Sequence, residues 1–175
     1  MQLLILMLGH PGSGKTYFTR QLAPKINAVR LNGDHMRTAM FGDGRLATRA
    51  DNPKVFGAIE YAMVEVLKAG HAVVCDMQHN KRPDRKRLEQ IAAEHGAKSL
   101  IIWIQTPIDI AFKRGIEREE ADDQRRKTEE QMRESIAFFV DALEKPDDTE
   151  DVLVIDGTLP FEQQYAAFVA HTQRS

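Results

Sequence analysis

The sequence predicts an α/β protein, with a five-stranded parallel sheet covered by helices on both faces. Three observations predict it. Apolar runs recur at residues 3–8, 28–31, 72–75, 99–104 and 152–155. Patterns of helical period fill the intervals between most of them. The first run leads without a break into GHPGSGKT, residues 9–16, and a helix-compatible stretch follows at 17–22.

Each element carries its own local signal. Residues 3–8 are continuously apolar, as a strand buried on both faces requires. They lack a basic flank and run straight into the glycine-rich stretch, so they read as a first strand and not as a leader peptide. The strongest helix carries Val55, Phe56, Ile59, Met63, Val66 and Leu67 on one face. Asn52 is placed to cap it, Pro53 suits its first turn, and Gly70 ends it. The next helix covers about 83–95 and stops at Gly96. Another starts at Thr106-Pro107, with Asp109 placed for a capping box. Thr128 and Gln131 have the same relationship ahead of an apolar face made by Met132, Ile136, Phe139, Val140 and Leu143. A last helix covers about 160–172. Trp103, Phe138 and Phe139 fall at positions that suit packing.

Composition bounds the function. At 175 residues, with 42% hydrophobic and 29% charged, the chain is sized for one globular domain with a good core. A net charge of -2 gives no overall attraction to nucleic acid or to anionic membrane. No apolar run approaches the ~20 residues of a membrane span, and no membrane partner is expected. The single cysteine, Cys75, excludes an intramolecular disulfide, sits in an apolar run and fits a reducing, cytoplasmic compartment. The histidines have no ligand-like spacing, and His35 is expected at the surface.

The chemistry is expected beyond the carboxyl ends of the strands, where open α/β sheets bind ligands. GHPGSGKT matches G-x-x-x-x-G-K-[ST] between a strand and a helix, the context in which backbone N–H groups and a helix N-terminus cradle phosphate. Gly9, His10, Pro11, Gly12, Ser13, Gly14, Lys15 and Thr16, with Tyr17 in the following helix, are the expected nucleotide-binding residues. Lys15 is placed for the β- and γ-phosphates, and the Thr16 hydroxyl for Mg²⁺. Asp76 closes the third strand run and is the second expected metal group. Asp34 and Arg37 follow the second strand, where a carboxylate can orient an attacking hydroxyl and a guanidinium can hold phosphate; Asp34 also suits a helix N-cap. Residues 117–130 contain no large apolar side chain. They interleave Arg118, Arg125, Arg126 and Lys127 with Glu119, Glu120, Asp122 and Asp123, the composition of a mobile lid that brings arginines to the γ-phosphate, or of a solvated helical extension laced with ion pairs. Arg114 and Arg118 are the leading candidates for that role. The run Lys81–Arg87 is the densest basic stretch and reads as a solvated helix face, or as a contact for a phosphorylated or nucleic-acid substrate.

Taken in order, GHPGSGKT, GDHMR, VVCDMQHNKRPDRKRL and AFKRGIER resemble the P-loop kinases related to the 5′-hydroxyl polynucleotide kinase domain, the zeta-toxin kinases and many bacterial predicted kinases. The resemblance spans nearly the whole chain. It implies a three-layer α/β/α P-loop NTPase fold, one domain over residues 1–175, a lid at about 117–130 and an ATP- and Mg²⁺-dependent phosphotransferase. It further implies that Asp34 activates the acceptor hydroxyl, that Arg37 contacts acceptor phosphate, that Arg114 and Arg118 contact ATP phosphates, and that Gly157-Thr158 borders the adenine. Met77-Gln78 after Asp76 departs from the threonine or alanine and asparagine often found there, and the lid is acidic for a nucleic-acid enzyme. The acceptor candidates are a 5′-hydroxyl oligonucleotide, a nucleoside, a sugar or sugar acid, an antibiotic and a protein side chain, selected by residues 35–60 and 77–87. The alternative class is an ATP-binding regulator without an acceptor. A GTPase is disfavoured, because Asn80-Lys81 meets its aspartate one position late, at Asp84.

Overall fold

A computed structural model of the protein describes residues 2–42, 51–119, 121 and 126–174. Five parallel strands form one sheet in the order β2-β3-β1-β4-β5: β1 (Leu3–Leu8), β2 (Val29–Asn32), β3 (Val73–Asp76), β4 (Lys98–Gln105) and β5 (Val152–Asp156). Seven helices among the described residues connect and cover them: α1 (Lys15–Lys25), α2 (Gly33–Phe41), α3 (Asn52–Lys68), α4 (Arg82–Glu94), α5 (Ile108–Glu117), α6 (Glu129–Ala142) and α7 (Phe161–Thr172). The result is the expected three-layer α/β/α arrangement, with most strands displaced by a residue or so from the apolar runs that announce them.

Alternation along β1 divides the core. Ile5 and Met7 pack with Phe18 and Leu22 of α1 and Phe161 and Phe168 of α7. Leu4, Leu6 and Leu8 face the other way, toward Met63 and Leu67 of α3, Leu88 and Ala92 of α4 and Phe139 of α6. Cys75 is buried on this second face, and burial pushes its thiol up to about 12, which suits a packing group. No described helix is long and apolar enough to cross a membrane.

Register positions the site. Leu6 pairs with Cys75 and Asn32 with Asp76, so the ends of β1, β2 and β3 lie side by side. Gln105 pairs with Asp156 on the other flank. The connection from β3 to β4 passes from one side of β1 to the other, which makes β1 the switch point of the sheet.

Several local expectations are corrected. Thr128 and Gln131 do form a capping box. Thr106 and Asp109 do not, because the Thr106 hydroxyl is drawn instead to the carbonyl of Ser13. Asn52 opens α3 and does not cap it; its side-chain oxygen accepts from Arg37, at 2.9 Å. Phe56, Phe138 and Val140, expected to pack, are exposed, while the rest of the α6 face (Met132, Ile136, Phe139) is buried. The basic run leaves Lys81 and Arg87 exposed, as a solvated face would, but its charges are paired across the fold. Lys81 pairs with Glu144, Arg82 with Asp147, Arg87 with Glu60, and Arg85 is buried against Glu150. The acidic segment before β5 thereby fastens the start of α4, a pairing invisible in the charges of either stretch alone.

Candidate functional site

The loop between β1 and α1 is held from outside. Gly9, Gly12 and Gly14 adopt φ of 143°, 78° and 107°. At Gly12 a side chain is doubly excluded, since its Cβ would also overlap the carbonyl of Ala111 in α5. Thr106 Oγ1 donates to the Ser13 carbonyl at 2.8 Å, and the Gly157 amide donates to Gln105 O at 2.7 Å. Arg114 Nη1 donates to the Gly157 carbonyl at 2.8 Å. The loop thus rests on the ends of β4 and β5, and Arg114 and Gly157, both expected at the nucleotide, are neighbours. Thr158 turns back on Asp156, with its amide and hydroxyl both donating to Oδ1, at 2.8 and 2.7 Å. The His10 ring packs inward against Phe139, with Nε2 2.8 Å from Thr106 O.

Lys15 Nζ donates to the carbonyls of Gly9 and His10, at 2.6 and 3.0 Å. Burial lowers its pKa to about 8, an effect that Asp76 and then Asp34 partly offset. Thr16 Oγ1 lies 3.4 Å from Asp76 Oδ1. The other Asp76 oxygen is fully committed. Arg30 donates to Oδ2 from Nε at 3.0 Å and from Nη2 at 2.5 Å, and Asn32 Nδ2 donates to it at 2.8 Å. Arg30, an alternating residue in a short strand, carries no motif signal and was not anticipated from the sequence.

Asp34 occupies the first turn of α2, and the cap is Asn32, whose Oδ1 accepts from the His35 amide at 2.7 Å. The cap role weighed for Asp34 is therefore taken by Asn32, and its carboxylate faces Arg37 Nη1 at 3.2 Å. Its field also reaches two cations that line the same cleft. Burial lowers the pKa of both Arg118 and Lys127, and Asp34 is the leading opposing influence on each. His35 is exposed, as expected.

These groups share a cleft of about 770 Å³ that Lys15, Thr16, Asp34, Arg37, Asp76, Arg114, Arg118, Arg126 and Lys127 all line. Tyr17 is exposed at its edge. Phe56 of α3 and Phe138 of α6 line it as well, with Met77 and Asn80 from the β3–α4 connection. An open depression of about 440 Å³ lies over β4 and β5, bordered by Gln105, Thr106, Pro107, Val154 and Asp156. Of the expected lid, Glu120 and residues 122–125 lie outside the described residues, as do residues 43–50 of the expected acceptor region. Arg126 Nε donates to Ile116 O at 2.9 Å, and Lys127 Nζ to Ser135 Oγ at 2.5 Å.

A glycine-rich loop at the switch point of this sheet, with a lysine and a hydroxyl opening the next helix, defines a P-loop NTPase-like fold. The chain belongs to the AAA domain family, whose model matches residues 4–142. Among solved structures it is similar to Kti12 of Chaetomium thermophilum in complex with ADP-AlF3, at 17% identity over 97% of each chain with a TM-score of 0.74. It is similar to an unliganded sugar kinase from Janibacter sp. HTCC2649, at 18% identity over 99% of this chain and 95% of that one with a TM-score of 0.69. A chain of the Pnkp1/Rnl/Hen1 RNA repair complex matches at 22% identity over 81% of this chain and 45% of its own, with a TM-score of 0.63. These likenesses are ones of fold. No curated protein matches the sequence.

Proposed function

We propose that the protein is a single-domain, ATP-dependent phosphotransferase that moves the γ-phosphate to a hydroxyl acceptor. The observation that carries this reading is the position of Asp34. Its carboxylate lines the same cleft as Lys15 and Thr16, and its field is felt by Lys15, Arg118 and Lys127. A nucleotide-binding module has no need of a carboxylate among these cations, whereas transfer to a hydroxyl needs a group that accepts or orients its proton.

In this reading the loop amides and Lys15 hold the β- and γ-phosphates, Arg114 adds a contact to the ATP phosphates, and Gly157-Thr158 borders the base. Asp34 orients the acceptor hydroxyl in line with the γ-phosphorus. Arg37 holds the acceptor's own anionic group, and Arg118 offsets charge on the transferring group. Thr16 Oγ1 and Asp76 Oδ1 are hard oxygen donors side by side in the cleft, the donor chemistry that Mg²⁺ takes. When bound there, Mg²⁺ would neutralise phosphate charge.

The order of the phosphate loop, Asp34-Arg37 and Asp76 along the chain supports the polynucleotide-kinase and zeta-toxin-like branch. The exposed Phe56 and Phe138 give the acceptor end an apolar surface that a bare sugar would leave uncovered. That favours an acceptor with a ring-bearing or apolar part. The test is transfer from γ-labelled ATP across oligonucleotides, nucleosides, sugars, sugar acids, an antibiotic and a protein. Label appears on an acceptor if the reading holds. ATP hydrolysis indifferent to every acceptor would support the regulator instead.

A further inference from the structure

Asp76 uses its two oxygens unequally. Three donors, Arg30 Nε, Arg30 Nη2 and Asn32 Nδ2, converge on Oδ2 at 3.0, 2.5 and 2.8 Å. Among the described residues, Oδ1 meets the Thr16 hydroxyl alone, at 3.4 Å. The Asp76 side chain is 2% exposed and that of Arg30 17%, so this is a desolvated pair with little freedom to rotate. Arg30 also reaches α1. Its Nε lies 3.0 Å from Thr19 Oγ1, and that hydroxyl donates to the Thr16 carbonyl at 3.3 Å. One guanidinium therefore touches the strand end that carries Asp76 and the helical turn that carries Thr16.

We infer that Arg30 is a positioning residue, which aligns Asp76 Oδ1 with the Thr16 hydroxyl so that the two present one preformed oxygen pair to the cation accompanying the nucleotide. The inference rests on the proposed metal role of Thr16 and Asp76. Two guanidinium N–H groups and the Asn32 amide together hold Oδ2 in place, and with that oxygen fixed the direction of Oδ1 is fixed as well. By binding Oδ2, Arg30 also limits Asp76 to one outward oxygen. The carboxylate then serves the cation, or its water, without adding a second negative oxygen beside the phosphates.

The test is equilibrium binding of ADP with increasing Mg²⁺ and in EDTA, with the melting temperature followed in parallel. Wild type is expected to bind ADP more tightly as Mg²⁺ rises. In Arg30→Met that Mg²⁺-dependent gain falls at least tenfold, while affinity in EDTA stays within about threefold, as expected for a supporting partner of a metal ligand. In an Asp76→Asn background the same change costs less than twofold, because Arg30 acts through Asp76. Should Arg30→Met fail to fold, Arg30→Lys keeps the charge, loses the fork and is expected to lose at least threefold of the gain. An unchanged Mg²⁺ dependence in the folded Arg30 variant overturns the inference, as does an equal loss with and without Asp76. ADP binding that Mg²⁺ does not strengthen in wild type removes the metal reading of Thr16 and Asp76, and this inference with it, while leaving phosphate transfer to be judged by the acceptor panel.

Discussion

Arg85 and Glu150 form a two-pronged ion pair in the protein interior, Nε to Oε1 at 2.8 Å and Nη2 to Oε2 at 3.1 Å, with side chains 1% and 2% exposed. The pair ties α4 to the segment that leads into β5, and Arg85 Nη1 reaches back to the His79 carbonyl at 3.0 Å. Deleting one partner of such a pair leaves the other charge buried, at a cost of about 3–5 kcal/mol. Glu150→Ala should therefore lower unfolding free energy by about 3 kcal/mol or more in urea titration. Burial pushes the Glu150 carboxyl up, but the Arg85 hydrogen bond and charge outweigh this and hold it below the usual carboxylate range. Its contribution is thus present above the unfolded carboxylate pKa and lost as pH falls through the depressed folded value. A loss under about 1 kcal/mol in Glu150→Ala would be that of a surface pair and would contradict the assignment.

Lys15 gives the site a pH signature on the alkaline side. Burial places it at about 8, so the free protein loses this charge as pH rises past that value. The specificity constant kcat/KM for ATP, which reports the free enzyme, should fall about tenfold per pH unit above pH 8. In Lys15→Arg, which stays charged, the fall should disappear whatever the absolute rate. Stability follows the opposite course. The unfolded chain keeps the proton to about 10.4, so it binds more protons than the folded one across the interval from about 8, and stability rises with pH there. A wild-type profile still flat about two units above pH 8 would show that Lys15 is not the group that meets the phosphates.

Gly157 lies outside the positive-φ region, so its constraint is space and not backbone conformation. A Cβ there would overlap Thr106 Oγ1 and the Ser13 carbonyl, the two atoms that join the phosphate loop to β4. Gly157→Ala should push the loop off its support and weaken ATP binding at least tenfold, a loss of about 1.4 kcal/mol. Calorimetric titration measures it, and an affinity within twofold of wild type would show that the contact does not shape the loop.

What was legible in the sequence was local. The phosphate loop joins one strand to the next helix, and the Thr128 capping box spans four consecutive residues, so each is complete within its own stretch of chain. Asp34, Arg37 and Asp76 were legible because strand ends in an open parallel sheet converge. Arg30 was not, since its partner lies 46 residues away and becomes its neighbour only through the β2–β3 register. Arg85 looked like one more charge in a basic run until Glu150, 65 residues on, was folded against it. Phe56 and Phe138 kept helical spacing but fell on the margin of their apolar stripes, where a cleft and not a core meets them. Thr106 had a cap position open to it and took the Ser13 carbonyl instead, a tertiary bond that outcompeted a local one.

In the proposed mechanism Asp34 is the group that makes this cleft a transfer site. The most direct measurement is the single-turnover rate of label transfer from saturating γ-labelled ATP to the accepted hydroxyl in Asp34→Ala. Loss of a positioned acid–base group predicts a rate about 10²–10⁴-fold lower. Because Asp34 bonds to Arg37 and not to the phosphate loop, ATP affinity should stay close to wild type. Transfer at a near-wild-type rate in that variant would contradict the account.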